Sequence, residues 1–520
     1  MIESATTITT STGSAMDVGA ACTLPQLIHA AAAAYGDEVA VAYRGDSARE
    51  ESVSFRELDR RSAELARGLI AHGVGKGTRI GFICGNSPTF VLLMAAIGRI
   101  GAIAVPISTL IRSNELVRTL RQSDVSGLIV QRTFLGNDYV DRLCEALPAL
   151  RDGKGPELRL SQTPFLRWIA SSGPALPPTF RDVGFLNALA PSVDDALLAA
   201  VESEIHPTDQ LVEIYTSGSM ALPKGVKHNH GPTLYRAHYL RKMLNPQRGK
   251  DSNVMLPLFW VGGLMMYIFP NWVAGAPSIC MDKTLSNSRL AMGSVMAPDD
   301  LKLVSQTKPY WSLGMSETLG PYAYSDTVRA PGYPLCAPLD YIADRYEVRV
   351  ADENNQPLGD GQTGEIQIRG YALTPGLHKI EREQYFTPDG FYHTGDLGLV
   401  EGKRINFVGR NGDLIKTASA NVSPAEVEIE MQSLEGVHSA YVVGIPDRER
   451  GQLVVAAVVA RDGATLDFDR IQEQLRARLS SYKVPRAYLA LARDEVPLLH
   501  SNKVARRQLE AMLARHFSRP

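Results

Sequence analysis

The chain has 520 residues, of which 44% are hydrophobic and 21% are charged, and its formal net charge is −2. A chain of this length exceeds one ordinary core and predicts at least two domains. The small net charge gives no support for a nucleic-acid partner or for an anionic membrane surface as a partner. The five cysteines are scattered and form no C-x-x-C pair, which argues against a zinc site or a disulfide framework and predicts a cytoplasmic location.

Residues 1–20 are rich in serine and threonine and lack the basic and apolar regions of a secretory signal, so we expect a disordered tail. From there to about residue 130, segments with helical spacing of apolar residues alternate with short β-branched runs. This alternation predicts an α/β fold with a parallel or mostly parallel sheet and helices on both faces. An uncharged span at 252–281 is broken by prolines and glycines, and it predicts a buried strand, turn and helix and not a membrane span.

After about residue 330 the pattern changes to short alternating strands separated by Gly, Asn and Asp turns, which predicts a β-rich subdomain. The end of the chain reads as helix, strand, strand, helix and a final helix that begins near Asn502, which predicts a compact α+β unit. We therefore expect a disordered tail at 1–20, a large N-terminal domain of parallel or mixed sheets at 21–410, and a small mobile α+β domain at 411–520.

Residues 215–230 read YTSGSMALPKGVKHNH and follow QLVEIY, which is a predicted strand. Hydroxyls, glycines and a lysine are concentrated in one loop, where they can hold phosphate together with backbone N–H groups. The order Pro-Lys-Gly excludes a Walker A loop, which needs Gly-Lys-Ser/Thr. The alternative is an ordinary strand-to-helix connection. We interpret His228 and His230 as structural and not as a metal pair, because residues two apart on a helix do not face each other.

Four further segments carry polar residues in turn-like sequences: GMSET at 314–318, FYHTGDLG at 391–398, GRNGDLIK at 409–416 and VPLLHSNKVARRQL at 496–509. Alone, each has a plain structural interpretation as a helix cap, a β-turn or a solvated helix. In this order, and together with the aromatic segment LPLFWVGG at 256–263, the segments resemble those of the AMP-forming acyl-CoA synthetases. That family belongs to the adenylate-forming superfamily, with luciferases and nonribosomal adenylation domains. The resemblance covers residues 25 to 515, approximately.

The resemblance implies a nucleotide site built from several of these segments. Ser316 would contact the α-phosphate, and Glu317 would help to hold Mg²⁺, a hard cation that prefers oxygen ligands. Asp396 and Arg410 would bind the ribose hydroxyls. The residues implied to hold the ATP phosphates are Thr216, Ser217, Gly218, Ser219 and Lys224.

The resemblance also implies a catalytic lysine, a hinge and an acyl pocket. Lys503 would bridge the attacking carboxylate and the α-phosphate, where negative charge concentrates in the transition state. Gly412 would be the hinge about which the small domain rotates, since a glycine tolerates different backbone angles in two states. Trp260, Met266 and Gly293 would line the pocket for the acid, although an aromatic and methionine segment is also typical of plain core.

These assignments predict an ATP-dependent acyl-CoA ligase that activates a hydrophobic carboxylic acid as its acyl-AMP and transfers it to coenzyme A, with ATP and Mg²⁺ required. The sequence leaves open which acid is used, whether the acceptor is coenzyme A, and whether the protein is a homodimer. A luciferase-like oxidative enzyme would share the first step and is also left open.

A second hypothesis is a non-catalytic relative that binds nucleotide or acyl ligand. Met220 and Ala221 stand where the resembled motif has threonine and glycine, and Leu313 stands where it has an aromatic residue. The stretch near 282–290 is also short, and by resemblance the chain lacks about one strand–helix unit there.

Overall fold

The computed structural model describes most of the chain. The described residues are 17–45, 51–216, 223–281, 311–325, 341–402, 404–410, 415–417, 420–422, 424–497, 504 and 506–517. The first part, up to Cys280, contains the strands β1 (Val39–Tyr43), β2 (Glu51–Ser54), β3 (Arg79–Ile83), β4 (Ile103–Ile107), β5 (Gly127–Val130), β6 (Thr133–Phe134), β7 (Asn137–Asp138), β8 (Trp168–Ser171), β9 (Phe180–Asp182), β10 (Gln210–Thr216), β11 (Lys224–Asn229), β12 (Ser252–Asn253) and β13 (Ser278–Cys280).

Seven of these strands form a central sheet in the order β11-β10-β4-β3-β5-β8-β9. All neighbouring strands in it are parallel except the edge strand β11, which is antiparallel to β10. A second sheet has the order β12-β13-β1-β2, and β6 and β7 form a short hairpin. The mostly parallel sheet predicted from the alternating pattern is therefore confirmed.

Helices pack on both faces of the central sheet. The helices of this part of the chain are α1 (Leu24–Tyr35), α2 (Phe55–Ala71), α3 (Pro88–Arg99), α4 (Ser113–Ser123), α5 (Tyr139–Ala146), α6 (Ala149–Asp152), α7 (Phe185–Leu189), α8 (Asp195–Ser203), α9 (His230–Leu244), α10 (Val261–Gly263) and α11 (Phe269–Ala274), with a π-helical turn at Leu264–Ile268. Ala104 of β4 packs in one hydrophobic cluster and its neighbour Val105 in another, as the two faces of a strand require. α3 begins at Pro88 and is capped by Ser87, whose hydroxyl accepts the N–H of Phe90 at 3.3 Å.

The next part of the chain is rich in strands, as predicted. β14 (Trp311–Met315), β15 (Gly320–Ser325) and β16 (Tyr341–Ile342) form one sheet, and β17 (Tyr346–Ala351), β18 (Gly364–Gly370), β19 (Tyr392–Glu401) and β20 (Arg404–Arg410) form an antiparallel sheet in chain order. We call residues 17–410 the large lobe.

The last part, which we call the small lobe, comprises the described residues from 415 to 517. Its elements are β21 (Ile415–Thr417), β22 (Ala420–Val422), α12 (Pro424–Gln432), β23 (Val437–Asp447), β24 (Gly451–Ala460), α13 (Phe468–Arg478), β25 (Ala487–Ala490) and α14 (Arg506–Phe517). Ala456 of β24 packs with α12 and α13, whereas Ala457 packs with α14. The three helices therefore cover opposite faces of one sheet: α12 and α13 lie on one face, and α14 lies on the other.

This architecture confirms the predicted fold class, a large α/β part with a β-rich subdomain followed by a small α+β part. Three details differ from expectation. Residues 18–20 form a 3-10 turn with Val18 buried, so the expected tail of 1–20 does not extend to residue 20. The segment KGVKHN is a strand paired with β10 and not a helix. The final helix begins at Arg506 and not near Asn502.

The start of the large domain and its limit at 410/411 stay predictions. In the part of the chain that the structure describes, no helix is long and apolar enough to cross a bilayer.

Candidate active site

A cavity of about 670 Å³ lies at the carboxyl ends of β4 and β10, which are neighbours in the central sheet. Parallel strands end at the same sheet edge, and in open α/β sheets ligands bind outside the carboxyl ends. The other walls include α4, residues 256–266, β14 and β15, and part of the small lobe. Its volume is typical of a small-molecule site.

Four of the residues singled out from the sequence line this cavity. They are Thr216 at the end of β10, Trp260 from the aromatic segment, Met266 shortly after that segment, and Ser316 from GMSET. These residues come from three segments that are far apart in the chain, so the fold brings together motifs that the sequence could only place in order. The cavity thus offers hydroxyls and apolar surface in one place.

Trp260 and Met266 reach the cavity because of an irregular helix. Trp260 precedes α10 and packs edge-on against Phe259, with ring centroids 5.6 Å apart and planes at 79°. The following π-helical turn leaves Met266 at the cavity while Leu264 and Met265 are buried in the core. Single π-helical turns occur often at functional sites, because they redirect side chains from the regular helical face.

Residues 316–318 form a tight 3-10 turn between β14 and β15. A Cβ at Gly314 would lie 2.6 Å from the carbonyl oxygen of Gly320, so only glycine fits where the two strands approach. Ser316 faces the cavity, and Glu317 lies behind it, 8% exposed, with Oε1 accepting the Tyr392 hydroxyl at 3.1 Å. Glu317 is not part of the cavity wall.

A series of contacts joins Lys224 to Glu317. The Lys224 ammonium lies 4.3 Å from the centre of the Tyr385 ring, which stacks on Tyr392 with planes at 13°. Tyr392 then donates its hydrogen bond to Glu317. Lys224 is also the cross-strand partner of Thr216 in the β10–β11 hairpin. The predicted phosphate and magnesium residues are therefore linked through two tyrosines, although Lys224 itself does not line the cavity.

The predicted ribose residues lie opposite each other on adjacent strands, since Asp396 of β19 pairs with Arg410 of β20. Asp396 is 5% exposed, and its N–H donates to the Thr394 hydroxyl at 3.0 Å. Gly395, which lies between Thr394 and Asp396, has φ 71°, a left-handed conformation that favours glycine. Asp396 is not among the described residues that line the cavity, and the side chain of Arg410 lies outside the described part of the structure.

His228 has a role beside this site that the sequence did not reveal. It is 1% exposed, and its Nε2 donates to the carbonyl oxygen of Ser316 at 2.8 Å. Burial lowers the pKa of His228 to about 4, so the ring is neutral at pH 7. His230 is also buried, and its Nδ1 accepts the N–H of Leu24. Both are structural as predicted, but His228 supports the turn that presents Ser316.

Tyr215 lines the cavity, and its hydroxyl belongs to a buried polar network. Its hydroxyl donates to Oε1 of the fully buried Glu213 at 2.6 Å, and Arg79 donates to Oε2 of the same carboxylate at 3.2 Å. Burial, reinforced by the Glu213 carboxylate, raises the pKa of Tyr215, so the phenol stays protonated. The residue before the predicted phosphate loop is therefore held firmly by the sheet beneath it.

The wall formed by the small lobe was not anticipated. Ala420, Glu426, Ser480, Tyr482 and Lys483 line the cavity from this lobe, opposite Glu115, Arg118 and Thr119 of α4. No local pattern marks these residues, because lysine, glutamate and serine of this kind are usually solvated surface residues.

Several predicted residues lie outside the described part of the chain, and their roles stay predictions: Ser217, Gly218, Ser219, Gly293, Gly412 and Lys503. The shortened stretch near 282–290 lies outside it as well. Among the described residues there is no group of three or more His, Cys, Asp or Glu that could hold a metal ion.

The two-lobed fold, with a cavity at the sheet edge lined by residues from three of the motif segments, is that of an adenylate-forming enzyme. The family model described as AMP-binding enzyme matches residues 28–296, and the model for the AMP-binding enzyme C-terminal domain matches residues 426–503. The chain belongs to this family, within its adenylate-forming acyl-CoA ligases, which confirms the resemblance drawn from the sequence.

Individual relatives are distant but nearly full-length. A feruloyl-CoA synthase from Amycolatopsis sp is 27% identical over 505 residues, covering 87% of this chain and 92% of that protein. An indoleacetate–CoA ligase from Aromatoleum aromaticum is 25% identical over 511 residues, covering 90% and 94%. Among solved structures, an amide bond synthetase from Marinactinospora thermotolerans matches with a TM-score of 0.73 at 20% identity, covering 94% of this chain and 99% of that chain. The structural match shows the fold alone.

Proposed function

We propose that the protein is an ATP-dependent acid–thiol ligase that activates a hydrophobic carboxylic acid as its acyl-adenylate and transfers the acyl group to coenzyme A in the cytoplasm. The observation that carries the proposal is the single cavity lined by Thr216, Ser316, Trp260 and Met266. It combines hydroxyls suited to phosphate with an aromatic and methionine surface suited to an apolar acid.

In the first half-reaction, a carboxylate oxygen of the acid bonds to the α-phosphorus of ATP. The bond from that phosphorus to the bridging oxygen breaks, and pyrophosphate leaves with the electron pair. The acid is already ionised at neutral pH, so no general base is needed. Negative charge grows on the departing phosphates, and donors aimed at them in advance stabilise it. We assign this role to Thr216, Ser217, Gly218, Ser219 and Lys224.

The resemblance to the family supports the assignment of the other nucleotide contacts. Ser316 would bind the α-phosphate, and Asp396 and Arg410 would bind the ribose from adjacent strands. Lys503 would bridge the acid and the α-phosphate, bringing a positive charge to the reacting atoms.

The described residues fit a Mg²⁺ ion held mainly by phosphate and water. Glu317 supplies a hard carboxylate directly behind Ser316, and Tyr392 orients that carboxylate through Oε1. Mg²⁺ commonly binds through one or two carboxylates plus substrate phosphates, so a larger protein ligand group is not required. When bound, the ion would supply positive charge beside the leaving pyrophosphate.

In the second half-reaction, the small lobe would rotate about Gly412, and the thiolate of coenzyme A would attack the acyl carbon. The names of the two acyl-CoA-forming relatives support coenzyme A as the acceptor. They also support an aromatic or otherwise apolar acid, in agreement with the wall formed by Phe259, Trp260 and Met266.

Acid-dependent exchange of labelled pyrophosphate into ATP tests the first half-reaction. With the right acid we expect exchange that falls about a hundred-fold or more in Lys503→Gln, because a neutral amide cannot offset the transition-state charge. Lys154→Gln, at an exposed lysine, is the matched control and should not change the rate.

A mass-spectrometric screen of acids with ATP and coenzyme A would then identify the substrate and the acceptor. Folded protein that shows no exchange with any acid would contradict the proposal. Binding of ATP or of an acyl-adenylate analogue without exchange would instead favour the non-catalytic relative, and an oxidised product formed only in oxygen would favour the luciferase-like alternative.

A further inference from the structure

A buried lysine of the small lobe bridges the two lobes at the cavity. Lys483 is 7% exposed, and its ammonium donates to Oε1 of Glu115 at 2.7 Å and to Oε1 of Glu426 at 2.9 Å. Glu115 belongs to α4 of the large lobe, whereas Glu426 belongs to α12 of the small lobe. The second oxygen of Glu115 accepts the Ser480 hydroxyl at 2.8 Å and the N–H of Arg112 at 2.9 Å.

In this cluster one ammonium, that of Lys483, contacts two carboxylates, those of Glu115 and Glu426. Burial alone lowers the pKa of Lys483, but Tyr482, Glu115 and Glu426 outweigh it, so its pKa is raised and the ammonium stays charged. Breaking a buried ion pair by removing one partner is strongly destabilising, because the remaining charge stays buried without compensation. The ion pair between Glu115 and Lys483 therefore stabilises this arrangement of the two lobes.

The same cluster forms part of the cavity wall. Glu115, Glu426, Ser480 and Lys483 all line the cavity, next to Thr119. A second pair supports the same junction, since Arg118 of α4 donates to Oε1 of Glu430 at 2.6 Å. The interface between lobes is thus continuous with the proposed reaction site.

The described structure presents one particular edge of the small lobe to the cavity. The lining residues from this lobe lie between 420 and 426 and between 480 and 483. Val504, the residue after Lys503, and α14 pack on the other face of the small-lobe sheet, and the described side chains of α14 do not line the cavity. An adenylation step that uses Lys503 would therefore call for a different orientation of the small lobe from the one described.

We propose that Glu115 and Lys483 form a latch that holds the small lobe in the orientation for thiol transfer, and that both are positioning residues for that second half-reaction. This inference rests on the proposed function. In this half-reaction the sulfur of coenzyme A bonds to the acyl carbon, the bond from that carbon to the AMP oxygen breaks, and AMP leaves with the electron pair while the thiol proton goes to solvent. The latch takes no part in these bond changes; it fixes the lobe that closes the cavity while they occur.

The test is to measure the two half-reactions separately in the full-length Glu115→Gln variant. Glutamine keeps the shape and can still accept the capping hydrogen bond of Arg112, but it removes the charge that Lys483 meets. We expect pyrophosphate exchange to be unchanged or faster, and thioester formation from preformed acyl-adenylate to fall about ten- to hundred-fold, the range for a lost hydrogen bond between charged groups. Ser480→Ala should also lower the rate of thioester formation relative to that of pyrophosphate exchange, by a smaller factor.

Glu157→Gln is the matched control, because Glu157 is a 77% exposed partner of Arg181 in the large lobe and should leave both half-reactions unchanged. Hydrogen exchange followed by mass spectrometry gives a readout that does not depend on activity. Amides in 113–123 and 479–484 should exchange faster in Glu115→Gln and not in Glu157→Gln.

Each outcome decides the matter. Equal loss in both half-reactions, or no change in either, would overturn the latch even if the wild-type protein forms acyl-adenylate. Unaltered hydrogen exchange at both segments would overturn it as well. If the wild-type protein shows no pyrophosphate exchange with any acid, the proposed function itself fails, and the thiol-transfer role of the latch fails with it.

Discussion

The hydrogen bond from Tyr392 to Glu317 provides a direct test of how the candidate magnesium site is held. Tyr392→Phe removes only the hydroxyl, and the ring can keep its stacking on Tyr385. Both partners are buried, at 2% and 8% exposure, so the change leaves a carboxylate oxygen with one donor fewer in a site poor in water. A hydrogen bond to a charged group contributes about 1.5–3 kcal/mol, and we expect the free energy of unfolding to fall by about 2 kcal/mol.

Tyr392→Phe should also weaken Mg²⁺ binding, because the Tyr392 hydroxyl orients the Glu317 carboxylate. Residues that orient a metal ligand typically alter metal affinity by 10- to 100-fold when they are changed, so the Mg²⁺ concentration for half-maximal pyrophosphate exchange should rise about ten-fold. Urea unfolding and exchange assays over a Mg²⁺ series measure the two effects. Tyr371→Phe, at a tyrosine that is 46% exposed, is the control for the loss of a phenolic hydroxyl.

Two results would refute this reasoning in different ways. Reduced stability with an unchanged Mg²⁺ requirement would make the Tyr392–Glu317 contact purely structural and would remove support for Glu317 as the metal residue. Unchanged stability and an unchanged Mg²⁺ requirement would mean that the hydrogen bond contributes nothing measurable.

Three further predictions concern the pH response, the ribose turn and the acid pocket. Burial lowers the pKa of His228 from 6.5 to about 4, so as the pH falls the unfolded chain binds this proton before the folded chain does. The contribution of His228 to stability should be complete above about pH 6.5 and fall by up to about 3 kcal/mol as the pH approaches 4. Urea unfolding measured over pH should show this part of the loss missing in His228→Gln, while the buried His230 still contributes its own part. Gly395→Ala should cost about 1–2 kcal/mol, because alanine is strained at φ 71°, and should raise the KM for ATP by displacing Asp396. Trp260→Ala should change the relative kcat/KM for small and bulky acids about ten-fold or more, as the screen of acids would measure.

Each of these has a control or a result that would count against it. His206→Gln, at an exposed histidine, should keep the acid sensitivity, and the same slope in His228→Gln would show that His228 does not cause it. Gly361 has φ 75° and open space where a Cβ would lie, so Gly361→Ala should lose as much stability as Gly395→Ala while the KM for ATP stays unchanged. Equal changes of this KM in both glycine variants would contradict the role given to the turn at Gly395. An unaltered acid preference in Trp260→Ala would exclude Trp260 from the acid pocket.

Much of the architecture could be predicted because it depends on local patterns. Alternation of helical and strand periodicity indicated the mostly parallel sheet, and short strands with turn residues indicated the β-rich part, since side-chain period reflects secondary structure directly. The order of separated motifs indicated the family and pointed to Thr216, Trp260, Met266 and Ser316, which the structure gathers in one cavity.

The local sequence misled where an element was short. KGVKHN lacks a clear period, and only pairing with β10 makes it a strand, which places His228 under Ser316. His228 supports the turn at Ser316 only because of this strand pairing. The residues next to His228 in the chain give no sign of that role.

The sequence by itself determined the fold class, the family and four of the residues that line the cavity, because these depend on periodicity and on motif order. Tertiary structure alone decided which charged groups are buried and what they meet. Glu115 and Lys483 are 368 positions apart, and in sequence each is indistinguishable from a solvated surface residue. Their contact exists only because two separately folded lobes bring them together, and the energy of a buried charge depends on that three-dimensional neighbourhood.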